Sequence, residues 1–244
     1  MKAAVVCLAM VVAGPTAAQN SGWSFTLSPY AWVPGIASSV ETAWGRLDVD
    51  KSGGDVLSKL DLAFMGAFEA RRGRWGLIAD LFYADLSQRR DTPLGVLFSQ
   101  ARIAAEAKAL SVYAAYRMHE DNQLAVDLLA GLRVNSLDLD VSLSPGRLSG
   151  QRFGVGETWV DPLFGGRARL ALADRWFATA FADIGGFDRG ADLTWQVFAS
   201  LGYQFNERWS AQGGWRHVAF EKTLDGRTVE LDFSGPLFGV TARF

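Results

Sequence analysis

Apolar and polar residues alternate with period two along most of this chain, in stretches of about ten residues or more separated by turn residues. Asp192 to Phe205 shows the pattern. Trp195, Val197, Ala199, Leu201, Tyr203 and Phe205 fall on one face, and Thr194, Gln196, Ser200, Gly202 and Gln204 on the other, with Phe198 among them. Successive strand side chains point to opposite faces, so the segment predicts a strand with one apolar and one largely polar side. At about 14 residues it is longer than the usual soluble strand. Beyond the N-terminus no run reaches the roughly 18 apolar residues of a membrane-crossing helix.

The punctuation alternates in length. Arg71–Arg74, His119–Asn122, Ala173–Arg175 and Asn206–Arg208 are tight. Val33–Leu60, Ser87–Ala101, Ser144–Gly156, Phe187–Ala191 and Thr223–Arg227 are longer. Short turns on one rim and longer loops on the other are the layout of an outer-membrane barrel. The segments between them predict an all-β chain, a closed antiparallel transmembrane β-barrel of ten strands, near 23–33, 61–71, 75–87, 102–118, 123–143, 157–172, 176–187, 192–205, 209–222 and 228–244. An even count puts both chain ends on the periplasmic side. The first loop has room for a hairpin within Gly35–Lys51 and a helical turn at Val56–Leu60. An eight-strand count with very long loops also satisfies the pattern.

Aromatic residues land at the predicted rim. Trp23, Trp75, Trp176 and Trp209 open strands leaving the short-turn side, and Tyr116, Phe205 and Phe244 close strands returning to it. All seven share the phase of their strand's apolar face, as expected of a girdle at a bilayer interface. A soluble β-sandwich with core aromatics would not cluster them beside the short turns. The same phase turns charges inward: Glu69, Asp80, Asp127, Asp161 and Asp183, with Arg71, Arg117, Arg133, Arg167, Arg169, Arg216 and Arg243. Facing lipid, a charge would cost about 2–4 kcal/mol at the midplane, whereas inside it can be paired or hydrated.

Composition narrows the class further. The 244 residues carry 24 Lys+Arg against 26 Asp+Glu, which argues against a nucleic-acid partner. Only five of the basic residues are Lys, and the arginine bias suits charges held in fixed, forked pairs. Met1-Lys2, the apolar run Ala3–Gly14 and the small residues of Pro15–Ala18 have the layout of a secretory signal peptide, with cleavage after Ala18, leaving 19–244 as one barrel domain. Cys7, the only cysteine, lies in that leader, so the mature chain has no thiol for disulfides, zinc or nucleophilic catalysis.

The last ten residues, Gly235–Phe244, alternate Phe238, Val240, Ala242 and Phe244 on one face and end on an aromatic. This resembles the C-terminal signature of bacterial outer-membrane β-barrel proteins, which the barrel assembly machinery recognises. Gly22–Trp32, Trp159–Arg169, Ala182–Phe187 and Asp192–Gln196 resemble a proteobacterial family of small outer-membrane barrels with no assigned activity. That resemblance implies the barrel and its location, with no catalytic residue to carry over.

Catalytic readings are weak. His119 falls in a tight turn, and His217 falls near the outer end of the ninth strand, pointing outward or at the rim. Ten-stranded outer-membrane proteases use paired acids and a histidine near the loop rim, but Asp80 and Asp85 have opposite phases here. Outer-membrane lipid A deacylases place a serine two residues after a histidine, and His217 is followed by Val218 and Ala219. No metal site, cofactor or catalytic set is expected. Two readings of the lumen remain: paired charges that fill a narrow bore, or a narrow pore whose seven arginines against five acids weakly favour anions. A chain of contacts between Arg167, Arg169, Asp127 and Asp161 would mark the filled form. Membrane lipid is the expected surrounding. Arg89, Arg90 and Asp91 in one loop, and Arg147 and Arg152 in the next, are candidates to meet lipopolysaccharide phosphates, although solvated loop charges are the simpler reading.

Overall fold

The computed structural model describes residues 22–42, 45–91, 98–145, 149–224 and 227–244. The leader, including Cys7, and residue 147 lie outside the described residues, as do the side chains of 89–91. The chain forms one antiparallel sheet closed into a barrel. Its strands are β1 (Trp23–Trp32), β2 (Gly35–Thr42), β3 (Gly45–Lys51), β4 (Leu60–Arg72), β5 (Trp75–Asp91), β6 (Phe98–Glu120), β7 (Leu124–Pro145), β8 (Gln151–Ala171), β9 (Trp176–Gly186), β10 (Leu193–Gln204), β11 (Trp209–Leu224) and β12 (Arg227–Arg243). Ten of them close the ring in the order β1-β4-β5-β6-β7-β8-β9-β10-β11-β12, with β12 returning to β1. The lower part of β12 pairs with β1, from Arg243 opposite Thr26 to Leu237 opposite Trp32. Its upper part, Val229–Ser234, pairs with β2, and β3 continues that pairing outside the ring.

The expected hairpin in the first loop is therefore β2–β3. The helical turn lies three residues earlier than the sequence spacing suggests, as α1 (Gly53–Leu57). A capping box sets that start: Ser52 Oγ accepts from the Asp55 N–H, and Asp55 accepts from the Ser52 N–H. Strands β5 to β8 run further on the loop side than apolar alternation indicates, to Asp91, Phe98, Pro145 and Gln151. Polar and charged residues interrupt the alternation there, so the hydrophobic period fades, but cross-strand bonding continues, with Asp91 opposite Gln100 and Leu143 opposite Gln151.

Tight turns on the opposite rim are built by side chains that replace backbone partners. Asn206 Oδ1 accepts from the N–H groups of Arg208 and Trp209, both at 2.9 Å. Asp121 accepts from the N–H groups of Leu124 at 2.7 Å and Gln123 at 2.8 Å. His119, expected in this turn, instead lies in β6, one residue before its end at Glu120 and just past a register shift between Arg117 and His119, with its Nε2 2.8 Å from Asp121. Around this rim Trp23, Trp75, Trp176, Trp209, Phe205 and Phe244 are exposed and Tyr116 is half-buried. Trp75 packs on Tyr116 at 4.9 Å, and Trp176 packs on Tyr203 at 5.1 Å. Arg74 and Arg175 reach the hydroxyls of Tyr116 and Tyr203 at 3.4 Å.

The outer wall is apolar, with Leu77, Leu81, Leu110, Leu128, Leu132, Phe164, Ile184, Leu201 and Phe238 all exposed. The inner wall is not uniformly polar, contrary to the simple inside-polar expectation. Ile78, Tyr113, Ala115, Leu129 and Leu163 form one buried apolar cluster. Trp32, Val218 and Leu237 form another, with Met65, Phe82, Phe198, Phe220 and Phe233 against it. Side chains that fill a bore of this width need not be charged, only space-filling. Gly202 shows how tight the filling is, because a Cβ there would sit 2.1 Å from the Phe177 ring.

Two outcomes follow. Gly202→Leu should destabilise the barrel by about 1–3 kcal/mol through overpacking, read from urea unfolding in micelles. The backbone N–H of Leu124, then His119 and the Gln123 N–H, hold the Asp121 carboxyl down to about 2 from its ordinary 3.8. NMR titration should therefore find it ionised throughout the usual carboxylate range. Its contribution to the turn is present above the ordinary value and is lost as pH falls through about 2.

Candidate functional site

The interior is the one place where this sheet gathers chemistry, and it is layered. On the turn side lies a cavity of about 450 Å³, lined by residues of most strands. Within it an ion network links strands across the bore, and the lining continues past that network to Tyr30, Tyr113, Gln196 and Arg216. Arg167 on β8 makes a forked pair with Glu69 on β4, at 2.7 and 3.0 Å, and also donates to Asp127 on β7 at 2.7 Å. β4 and β8 are four places apart in the ring of ten, so this pair spans the bore. Arg71 on β4 bonds Glu69 at 2.9 Å and lies 3.1 Å from Asp127. Arg117 bonds Asp127 at 2.6 Å and Glu120 at 2.5 Å. Asp127 thus faces three guanidinium groups, an arrangement that fixes them only while the carboxylate is present.

Deeper in, a second belt mixes charges with neutral polar groups. Arg133 and Asp183 form a pair with side chains 2% and 0% exposed, at 3.0 Å. The remaining Arg133 donors reach Ser111 at 3.0 Å, Thr194 at 3.4 Å and Tyr113 at 3.3 Å. Asp183 accepts also from the Tyr113 hydroxyl at 2.7 Å and from Gln196 at 2.5 Å. Gln196 in turn accepts from Arg216 at 2.8 Å. Arg216 donates to the Tyr30 hydroxyl at 3.0 Å, which donates to Asp80 at 2.6 Å. This chain links β5, β1, β11, β10, β9, β7 and β6. Its buried ions have the satisfied partners that desolvation demands. Tyr30, Tyr113, Thr194 and Gln196 escape a charge-based reading of the sequence because neutral polar residues carry no sign to match. The polar-face phase, which holds Thr194 and Gln196, was the available signal.

Asp161 departs from the expected ion pairing. It is fully buried, yet its acceptors serve Asn135 at 2.8 Å, Trp159 at 3.1 Å and the Ala191 N–H at 2.7 Å. It latches the β9–β10 connection into the mouth. That connection turns through positive φ at Gly186, Phe187 and Asp188. Above it, on the loop side, Lys222 pairs with Glu157 and its ammonium lies 4.7 Å from the centre of the Trp159 ring. Arg169 and Arg243 line the turn-side cavity without a carboxylate partner among the described residues. Arg169 stacks on Phe177, with its guanidinium carbon 3.4 Å from the ring centre. The contacts crossing the bore thus include Arg167 and Asp127 but neither Arg169 nor Asp161.

The other candidates scatter. Asp80 lines the lumen, and Asp85, five residues on, lies on the opposite face of β5. His217 sits opposite Val197 and Ser234, with its ring 4.7 Å from Trp195 and its Nε2 3.4 Å from Asp232. Asp80, Asp85 and His217 therefore share no site. Arg152 pairs with Asp140 at 3.1 Å. Among the described residues no group of three or more His, Cys, Asp or Glu could hold a metal ion.

No family model matches the chain, and no curated protein sequence does. Solved structures do. The outer membrane protease OmpT of Escherichia coli superposes with a TM-score of 0.55 at 11% identity, covering 93% of this chain and 98% of that one. The fold is that of an outer-membrane β-barrel. Ail, the attachment invasion locus protein of Yersinia pestis, matches at 0.38 and 12% identity over 91% of this chain and 99% of its own. The toluene transporter TodX of P. putida matches at 0.31 and 11% identity over 91% and 90%.

Asp127 is the keystone of the turn-side network. Asp127→Ala should cost about 3–5 kcal/mol of unfolding free energy, because it strands three partly buried cations. In an Asp127→Ala, Arg167→Ala double variant the two losses should be clearly less than additive in the same urea titration.

Proposed function

We propose that this chain is an integral protein of a Gram-negative outer membrane, delivered through the inner membrane by its N-terminal leader, with a structural or envelope-maintaining role and a bore closed by its own side chains. One observation carries the reading: the Arg167–Glu69 fork joins strands four places apart in the ring of ten, at 2.7 and 3.0 Å. Tyr113, Arg133, Asp183, Gln196 and Arg216 stack a second, buried barrier beyond it. The aromatic cluster around Trp32 and Phe198 adds a third. A solute would have to break several charge-assisted hydrogen bonds, each worth about 1.5–3 kcal/mol, and replace none of them. The exposed apolar wall and the rim of Trp23, Trp75, Trp176 and Trp209 support insertion in lipid, with the tight turns toward the periplasm. The alternating strand that runs to Phe244 is the segment proposed to engage the barrel assembly machinery, and Arg152, which lies at the loop-side end of β8 and not in a loop and is paired with Asp140, is the proposed contact for lipopolysaccharide phosphate. No catalytic role is assigned.

A narrow, weakly anion-preferring channel is the second reading, favoured by the cationic turn-side cavity. Planar-bilayer recording separates the two. The purified barrel should show no discrete conductance steps in molar salt. Reproducible, anion-selective unit currents from the wild-type chain would overturn the closed-bore reading and establish the channel.

A further inference from the structure

The turn-side cavity does not balance its own charge. Seven arginines and four carboxylates line it. Four of the arginines are accounted for: Arg71, Arg117 and Arg167 by Glu69, Glu120 and Asp127, and Arg216 by Asp80. Arg169, Arg208 and Arg243 remain, and none has a carboxylate partner among the described residues. They stand around the turn-side end of the cavity: Arg169 near the end of β8, Arg208 in the β10–β11 turn and Arg243 at the end of β12, four places round the ring from β8. Arg243 and Arg208 are tied through the backbone, the Arg243 N–H donating to the Arg208 carbonyl at 2.8 Å. Phe177 holds the Arg169 guanidinium in place from one face, with the Gln204 side chain at its edge. Arg208 and Arg243 are exposed at the mouth while Arg169 is held half-buried. Like charges gathered at one mouth raise each other's energy, and a counter-ion that enters relieves all of them together.

We propose that this vestibule is a binding site for a compact multivalent oxyanion, with Arg169, Arg208 and Arg243 as its cationic ligands and the Ser210 hydroxyl as a neutral donor beside them. Guanidinium forks match the paired oxygens of carboxylate and phosphate alike, so the chemistry called for is two or three such groups on a small skeleton. A surplus of three positive charges suits a trianion better than a monovalent ion such as chloride. The cavity, at about 450 Å³, has room for a small metabolite but not for a polymer threaded through the barrel. The site opens on the turn side, so its ligand comes from the compartment that the turns face. This inference goes beyond the closed bore and does not depend on it, since a conducting barrel would keep the same three arginines at its entrance.

Isothermal titration of the refolded full-length barrel in zwitterionic micelles tests it, with sodium pyrophosphate in one arm, trisodium citrate in another and sodium chloride as the monovalent control. Saturable one-site binding is expected in the polyanion arms and not with chloride, and whichever polyanion binds tighter names the preferred group. Arg169→Gln and Arg208→Gln should each weaken it by about tenfold or more, the loss expected when a charge-assisted hydrogen bond disappears. Arg208 lies in an exposed turn outside the strand pairing, so its variant keeps the test sound if Arg169→Gln fails to assemble, which altered gel mobility of the unheated protein would reveal. Arg74→Gln removes a cation of the outer rim and should leave binding unchanged. Absence of saturable binding by the wild-type barrel would overturn the proposal, as would equal weakening in Arg74→Gln or unchanged affinity in Arg208→Gln. Neither result would bear on conductance.

Discussion

Closure of the sheet is the constraint on which everything else rests. A strand wall in hydrocarbon can leave no backbone N–H or carbonyl unpaired, so the first strand must find the last. It does so at the rim, where the Phe25 N–H donates to the Phe244 carbonyl at 3.1 Å and the Phe244 N–H donates to the Phe25 carbonyl at 2.9 Å. The chain terminus is therefore part of the fastening, and the alternation of Phe238, Val240 and Ala242 is the sequence consequence of one face meeting lipid while the other meets the bore. Closure also forces inner side chains from distant strands into one narrow space. Ser28 and Thr241 bond at 2.9 Å across a separation of 213 residues only because the ring is complete.

Given that confinement, the chemistry of the interior follows from arithmetic of charge and volume. Cations and anions that cannot leave the lumen lower their energy by pairing, and arginine does so through two parallel bonds where lysine would offer a point charge. The pairs stand at two depths, and apolar side chains occupy the levels between and above. Salt links and rings therefore alternate along the interior. The surplus of arginine collects where solvent can reach it, at the turn side, instead of in the sealed middle. That distribution is what desolvation demands of unpaired ions.

Much of this was legible in the residue pattern because a period of two is all that a wall between lipid and lumen needs. The strands, the ring of ten, the rim tryptophans and the inward phase of the charges follow from alternation and turn spacing. Pairing partners do not, because they depend on the stagger between strands, which no single strand records. Arg167 shows this: its phase says inward, but its reach to Glu69 is set by the tilt of three intervening strands. Asp161 shows a different gap, since nothing in its neighbourhood of sequence says that it would hold a backbone amide thirty residues on. Phe198 was the one visible warning that the lumen contains rings, as an apolar residue standing on the polar face of its strand. The upper ends of β5 to β8 were hidden because polar and charged residues there interrupt the period of two.

Strand length gives the molecule a lopsided crown. β6, β7 and β8 run 23, 22 and 21 residues, while β9 and β10 run 11 and 12. The rise is built on a single arc of the ring, and the β9–β10 connection tucks down beside Asp161 instead of rising with it. Seen from the loop side, the entrance is a notch with a parapet on one flank and a low sill on the other. A bulky neighbour diffusing in the plane of the membrane meets a screen from the first direction and an unguarded doorstep from the second, so crowding at such a surface would orient this barrel as well as surround it.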